Sequence, residues 1–151
     1  MEAAYTDSAG RPNADALRIN LGTGVLGGPN GGQANPLTPG VYTFGTDVQI
    51  GSDIYFQGTG VGKEDVFIIQ ITGNLIQTAG VSVHLDNGAL AKNIFWQVAG
   101  FVEVGAGAST HLKGILLVKT YVKFETLSSL EVRVLAQTAC VLQQATIYEP
   151  A

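Results

Sequence analysis

Four segments decide the reading of this chain: Val66-Phe-Ile-Ile-Gln-Ile-Thr-Gly73, Ile94-Phe-Trp-Gln-Val-Ala-Gly100, Ile115-Leu-Leu-Val-Lys-Thr120 and Val134-Leu-Ala-Gln-Thr-Ala139. Each is a short apolar run with a Gln, or once a Lys, followed by small residues. Taking Gln70, Gln97, Lys119 and Gln137 as equivalent points gives steps of 27, 22 and 18 residues. Steps of that size suit single turns of a solenoid, whereas helical repeats need 33 residues or more.

These runs are apolar on both sides, as in Phe67-Ile68-Ile69 and Phe95-Trp96, so both faces of the strand need cover. The segments after them alternate instead: Val48-Gln49-Ile50, Val102-Glu103-Val104 and Val122-Lys123-Phe124. A third type is Val81-Ser82-Val83-His84-Leu85. Alternation predicts strands with one face in water. Stacked about 4.8 Å apart, such strands make a flat parallel sheet with its outward residues in a regular array. The expected fold is mainly β: stacked coils of parallel strands with three kinds of strand face, after a short N-terminal helix.

The rest of the chain fits one domain over 1–151, with a helix end at 1–9, a linker loop at 11–40 and coils at 41–151. Met1 to Ala9 holds helix formers, and Gly10 is the residue type that best accepts a left-handed helix terminus. Gly22, Gly24, the Gly27 to Gly32 cluster, Pro36 and Pro39 mark the linker. Nine helical residues span only about 14 Å at 1.5 Å per residue. That is a short lid for a doubly apolar face, and it suggests upstream sequence.

Composition narrows the function. Charged residues make up 13% of the chain and hydrophobic ones 46%, with 20 glycines, so the surface is weakly charged. The net charge of −4 and the lack of a Lys/Arg cluster argue against nucleic acid and anionic membrane. No run approaches the roughly 18 apolar residues of a membrane span. The first residues lack the basic and apolar regions of a secretory signal. Cys140 has no cysteine partner and is expected to be a buried apolar residue.

Catalytic signals are weak. His84 and His111 lack a metal-ligand spacing. Gly58-Thr-Gly-Val-Gly-Lys63 has Gln57 where a phosphate loop needs its first Gly and Glu64 where it needs Ser or Thr, so it reads as a turn between coils. Glu64 and Asp65 with Asp47 and Asp53 could form the acidic, calcium-dependent site of a polysaccharide-cleaving β-helix, given converging carboxylates and a basic residue. The arginines are Arg11, Arg18 and Arg133, and only Arg133 lies in a coil. Tyr55, Phe56, Phe101 and Tyr121, if clustered on one exposed face, would favour an adhesive or carbohydrate-binding solenoid.

Four stretches resemble the microbial ice-binding (antifreeze) proteins: Glu2-Ala-Ala-Tyr-Thr-Asp-Ser-Ala-Gly-Arg-Pro12, Leu37-Thr-Pro-Gly-Val-Tyr-Thr-Phe-Gly-Thr-Asp-Val48, Ala91 to Gly100 and Arg133-Val-Leu-Ala-Gln-Thr-Ala139. They occur in family order. The resemblance implies a right-handed parallel β-helix, an irregular three-sided β-solenoid with a long helix beside it, an extracellular location, no cofactor or metal, no chemistry, and adsorption to the surface of ice crystals. Two departures stand out. The chain begins where the family's long helix ends, so it reads as N-terminally truncated, and Gly27 to Asn35 is longer than the usual linker and is expected to make a surface excursion.

By the same resemblance the ice-binding face lies on the strand after each Gln-bearing segment. Its outward positions are then Gln49, Ile76, Glu103, Lys123 and Leu142, flanked by Gly51, Thr78, Gly105, Glu125 and Gln144. Small Ser, Thr or Asn residues are commoner there in relatives. Glu103 and Lys123, expected to pair across adjacent coils, read more like a solvated face. Truncation would leave the outer side of the Phe67, Phe95, Leu116 and Leu135 strands uncovered, an apolar patch that favours self-association.

Overall fold

The computed structural model describes residues 1–61 and 64–151. A helix, α1 (Glu2–Gly10), precedes fourteen strands that pair in parallel throughout. They are β1 (Val25–Leu26), β2 (Gly40–Phe44), β3 (Val48–Ile50), β4 (Ile54–Gln57), β5 (Phe67–Ile71), β6 (Leu75–Gln77), β7 (Val83–Asp86), β8 (Ile94–Val98), β9 (Val102–Val104), β10 (His111–Val118), β11 (Tyr121–Phe124), β12 (Ser129–Ala136), β13 (Ala139–Leu142) and β14 (Thr146–Tyr148).

One side of the solenoid is a six-stranded sheet in the order β2-β5-β8-β10-β12-β14; a second is β1-β3-β6-β9-β11-β13; a third is the pair β4-β7. We call them the helix side, the flat side and the third side. Each coil passes from one to the next in that order. In later coils the third side merges into the helix side, because β10 and β12 run for eight residues across both. Gly114 permits this in β10. Its φ of +126° lies outside the ordinary range, and a Cβ there would meet Ile94 O and Trp96 Nε1 at 2.9 Å.

The register corrects one spacing. Gln97 pairs with Leu117, not Lys119, and Leu117 with Leu135. The point equivalent to Gln97 is therefore Leu117, two residues before Lys119, while Ile115–Val118 as a whole lie in line with Phe95–Val98. Phe67, Ile69 and Ile71 face inward, and Ile68 and Gln70 outward; inward Trp96 packs edge-on to Phe56. Burying this row in a close-packed interior supplies most of the stabilisation.

Three expectations about the N-terminal region change. The helix does not end on a left-handed Gly10: the residue after it, Arg11, is extended, and Gln70 Nε2 donates to Ser8 O at 2.8 Å, Ala9 O at 3.3 Å and Arg11 O at 2.8 Å. A side chain from the coils terminates the helix where a glycine was expected. The 11–40 segment is not only a linker, since β1 inside it is the first strand of the flat side, paired with β3. Gly27–Asn35 is an excursion only in part, since Gly28, Pro29 and Gln33–Asn35 are exposed while its middle packs on the first coil. Gly31 and Gly32 are buried, Tyr55 N–H bonds Gly31 O, and Leu37 closes over the first coil.

The two ends of the solenoid differ. At the N-terminal end Leu26 and Leu37 are sealed in. At the other end Cys140 and Leu142 stand at the core register of Val122 and Phe124, yet Leu142 is 50% exposed where Phe124 is 0%. Cys140, expected to be buried, is exposed on β13, the edge strand of the flat side. Partial desolvation still lifts its thiol above its ordinary value. Along the helix side, α1 covers more than nine residues promised: Ile68 is 7% and Leu117 1% exposed. Among the described residues Val41, Phe95, Ile115 and Leu135 are half-buried on that face.

Candidate functional site

The flat side presents three columns of residues that no other element covers. The middle column follows from the pairing: Val25, Gln49, Ile76, Glu103, Lys123 and Val141. Val141, and not Leu142, continues the Lys123 position, because Leu142 pairs with Phe124 and lies at a core register. The flanking column is fixed by a chain of backbone bonds in which the N–H of Gly51, Thr78, Gly105, Glu125 and Gln143 reaches the carbonyl of Leu26, Ile50, Gln77, Val104 and Phe124 respectively. Gln143 therefore takes the place expected for Gln144, which has φ +50° and lies in the following turn. Both shifts have one cause. Val141 directly follows the inward Cys140, and counting from the Gln137 motif misplaces the outward set by one residue.

The third column runs along the corner with the helix side. Asp47 Oδ1 accepts from Asn74 N–H at 2.8 Å and Asn74 Nδ2 at 3.2 Å, and Asn74 Oδ1 accepts from Phe101 N–H at 2.9 Å. Each link holds the next coil. Beyond it, the Phe101 and Tyr121 rings stack with centroids 5.1 Å apart.

Glu103 and Lys123 occupy facing positions but take other partners. Tyr121 OH donates to Glu103 Oε1 at 2.9 Å, and Lys123 Nζ donates to Glu125 Oε1 at 3.3 Å along its own strand. The Glu103 carboxylate raises the Tyr121 phenol above its ordinary value. These four residues form a charged cluster around β9 and β11.

The remaining candidates lie elsewhere. Asp47 stands at the corner between the helix and flat sides, Asp53 between the flat and third sides, and Asp65 before β5, where it is buried and accepts from Thr59 N–H and Oγ1. These carboxylates do not converge, as the acidic polysaccharide-cleaving site requires. His84 Nε2 lies 2.9 Å from Asp53 Oδ2 and its ring stacks on Tyr55, while His111 Nδ1 lies 3.1 Å from Ser129 O. Of the aromatics, Phe56 is in the core, Tyr55 is on the third side, and Phe101 and Tyr121 are on the flat side. They form no single exposed patch. The Gly58–Lys63 turn lies partly outside the described residues. Among the described residues no helix is long and apolar enough to cross a membrane.

Comparison with known proteins gives a consistent result. The model of the ice-binding-like family matches residues 1–148. The chain belongs to the ice-binding-like family. It is 47% identical over 150 residues to an ice-binding protein of a Colwellia species, covering 99% of this chain and 54% of that one. With an ice-binding protein of Flammulina populicola the identity is 45%, covering 99% and 56%. Among solved structures, an ice-binding protein from an Arctic yeast superposes with a TM-score of 0.87 at 37% identity, covering 99% of this chain and 59% of the other. The chain thus spans about half the length of the curated relatives it matches.

In this member of the ice-binding-like family, sequence reasoning missed two parts of the flat side. Val25 was hidden inside a glycine-rich stretch, although Val25-Leu26 is the one apolar pair between Gly24 and Gly27. The Asp47–Asn74 corner ladder was missed as well; both residues stand two positions before an outward residue, which is the signal that would have found them.

Proposed function

We propose that this chain adsorbs to ice through the flat side, slowing crystal growth and recrystallisation without performing chemistry. The observation that supports this reading best is the register: six parallel strands present their outward residues in straight columns that nothing covers. Ice is a periodic surface, and a rigid periodic array can hold a water layer that matches it. A mobile face would lose side-chain entropy on docking, and a face of free charges would keep its own hydration. Val25, Ile76 and Thr78 are β-branched and stiff at χ1. The outward residues from which the contact is drawn are Gln49, Gly51, Ile76, Thr78, Glu103, Gly105, Lys123 and Glu125 on β3 to β11 and the turns after them; Val141 and Gln143 lie at the end of the same columns. The relatives' printed names, ice-binding proteins throughout, support the same target. The same family membership favours an extracellular setting for this chain.

The test is ice-recrystallisation inhibition and crystal faceting by the purified chain, beside two single lysine variants. Thr78→Lys on the flat side is expected to lose at least about ten-fold in inhibition, and Gln57→Lys on the third side to keep it within about two-fold. The reverse order would reject the flat side as the contact face. Unfaceted growth in the presence of the folded, unsubstituted chain would reject ice adsorption itself.

A further inference from the structure

The flat side is not uniform along the solenoid axis. Its N-terminal half, carried by β1, β3 and β6, displays Val25, Gln49, Gly51, Asn74, Ile76 and Thr78. One charged side chain is present there, Asp47, and it lies at the corner with Oδ1 occupied by two Asn74 donors. Val25 is 49% exposed and Gln49 and Thr78 are also open to solvent. The next two strands change character. β9 and β11 bring Glu103, Lys123 and Glu125 onto the same face within two strands, beside the Phe101–Tyr121 stack.

We propose that ice docks on the β1-β3-β6 half of the flat side, and that Glu103, Lys123 and Glu125 end the docking surface at β9. This inference rests on the flat-side reading above and specifies which part of that side is used. The physical reason is hydration. The charged groups are only partly exposed, with side-chain accessibilities of 32% for Lys123 and 41% for Glu125, and each already holds a protein partner. Their remaining water is oriented by charge, so ordering that water for ice would cost desolvation of an ion. Over the N-terminal half the water meets methyl groups, amides and a hydroxyl, which impose no comparable field. The corner ladder from Asp47 through Asn74 to Phe101 N–H keeps these coils in line. Asp47 and Asn74 act as positioning residues for the half that docks.

The experiment places one new positive charge at each end of the same column. Gln49→Lys and Ile76→Lys test the N-terminal half, and Val141→Lys tests the C-terminal end; Gln49 is fully outward, so its replacement does not depend on core packing. A fourth variant, Glu103→Thr with Lys123→Thr, removes the barrier. All are checked for an unchanged thermal transition and then compared in recrystallisation inhibition. The expected result is a loss of at least about ten-fold for Gln49→Lys and Ile76→Lys, retention within about two-fold for Val141→Lys, and a gain of at least about two-fold for the double Thr variant. Equal losses at Gln49 and Val141 would overturn the partition while leaving the flat side as the contact face. A loss in the double Thr variant would overturn it too, because the charges would then be contacts. If no flat-side lysine has an effect and Gln57→Lys does, both the partition and the flat-side reading fall.

Discussion

The helix side and the flat side are built from consecutive strands of the same coils, yet their outer faces have opposite fates. On the helix side the outward residues Ile68, Gln70, Gln97 and Leu117 are all buried, because α1 lies across β5, β8 and β10. On the flat side the outward residues Val25, Gln49, Ile76, Glu103, Lys123 and Val141 are all at least partly exposed. The polar side chains show how each face is used. Gln70 is inside a closed network: it accepts from Thr43 Oγ1 at 2.7 Å, Thr43 in turn accepts from Asn13 Nδ2 at 3.1 Å, and its amide caps the helix. Gln49, an outward residue of the flat side, has no such network among the described residues and faces solvent. A buried amide must be satisfied by protein and so becomes structural; an exposed one is free to serve a contact.

The largest effect is expected where the helix side is broken. Gln70→Leu keeps the size of the side chain but removes the donor for three carbonyls and the acceptor for Thr43. With Ser8 O buried, the unmet groups should cost about 3 kcal/mol. Chemical denaturation would read this as a lower midpoint, and hydrogen exchange as early loss of protection in α1. A shift under about 0.5 kcal/mol would mean that the helix is held by Ile68 and Leu117 packing alone.

A smaller effect should separate two glycines of one column on the flat side. A Cβ at Gly105 would lie 2.5 Å from Ala79 N, whereas at Gly51 the nearest contact is Val25 Cγ1 at 3.9 Å. Gly105→Thr should therefore cost about 2 kcal/mol through backbone displacement, and Gly51→Thr should change stability by less than about 0.5 kcal/mol. Thermal melts of the two variants decide the point. Equal melting temperatures would show that the turn at Ala79 yields without cost.

Much of this contrast was legible in the sequence. Double apolarity in Phe67-Ile68-Ile69 and alternation in Val102-Glu103-Val104 separated covered from open strands, because burial on one face or two leaves different periodicities. Gln49, Glu103 and Lys123 followed from that alternation; Ile76 did not, since in Leu75-Ile76-Gln77 the apolar residue points outward and the polar Gln77 is buried, and its place came from the family resemblance. Nor did the ends of the flat side follow. β1 is two residues long and has no alternation to read, and β13 (Ala139-Cys-Val-Leu142) is apolar throughout, so Leu142 reads as outward although it lies at the core register, and Cys140, expected to be buried, stands open. Register across coils was the other weak point: Leu117 and not Lys119 lies against Gln97, since side-chain type marks a motif while backbone bonding sets the pairing. The cap on α1 was also out of reach. Gln70 lies 62 residues from Ser8, and nothing local to either residue announces the bond.

The smallest effect concerns the third side, where a carboxylate and an imidazole meet at the corner with the flat side. Asp53 Oδ1 accepts Ser82 N–H at 2.9 Å and Oδ2 lies 2.9 Å from His84 Nε2. The Ser82 backbone bond, followed by the His84 bond, holds the carboxyl below its ordinary value. A carboxylate lowered in the folded state contributes stability above its unfolded value, roughly pH 4, and that contribution is lost as pH falls through the lower folded value. Asp53 is largely exposed, so solvent screening keeps the contribution under about 1 kcal/mol. Melting temperatures of the chain and of Asp53→Asn should therefore differ slightly at pH 6 and converge as the pH drops toward 2. Convergence is the informative feature, because a constant offset would mean that Asn loses a contact unrelated to charge. Ice-recrystallisation inhibition at pH 6 should be the same for both proteins, since the pair lies outside the columns of the flat side.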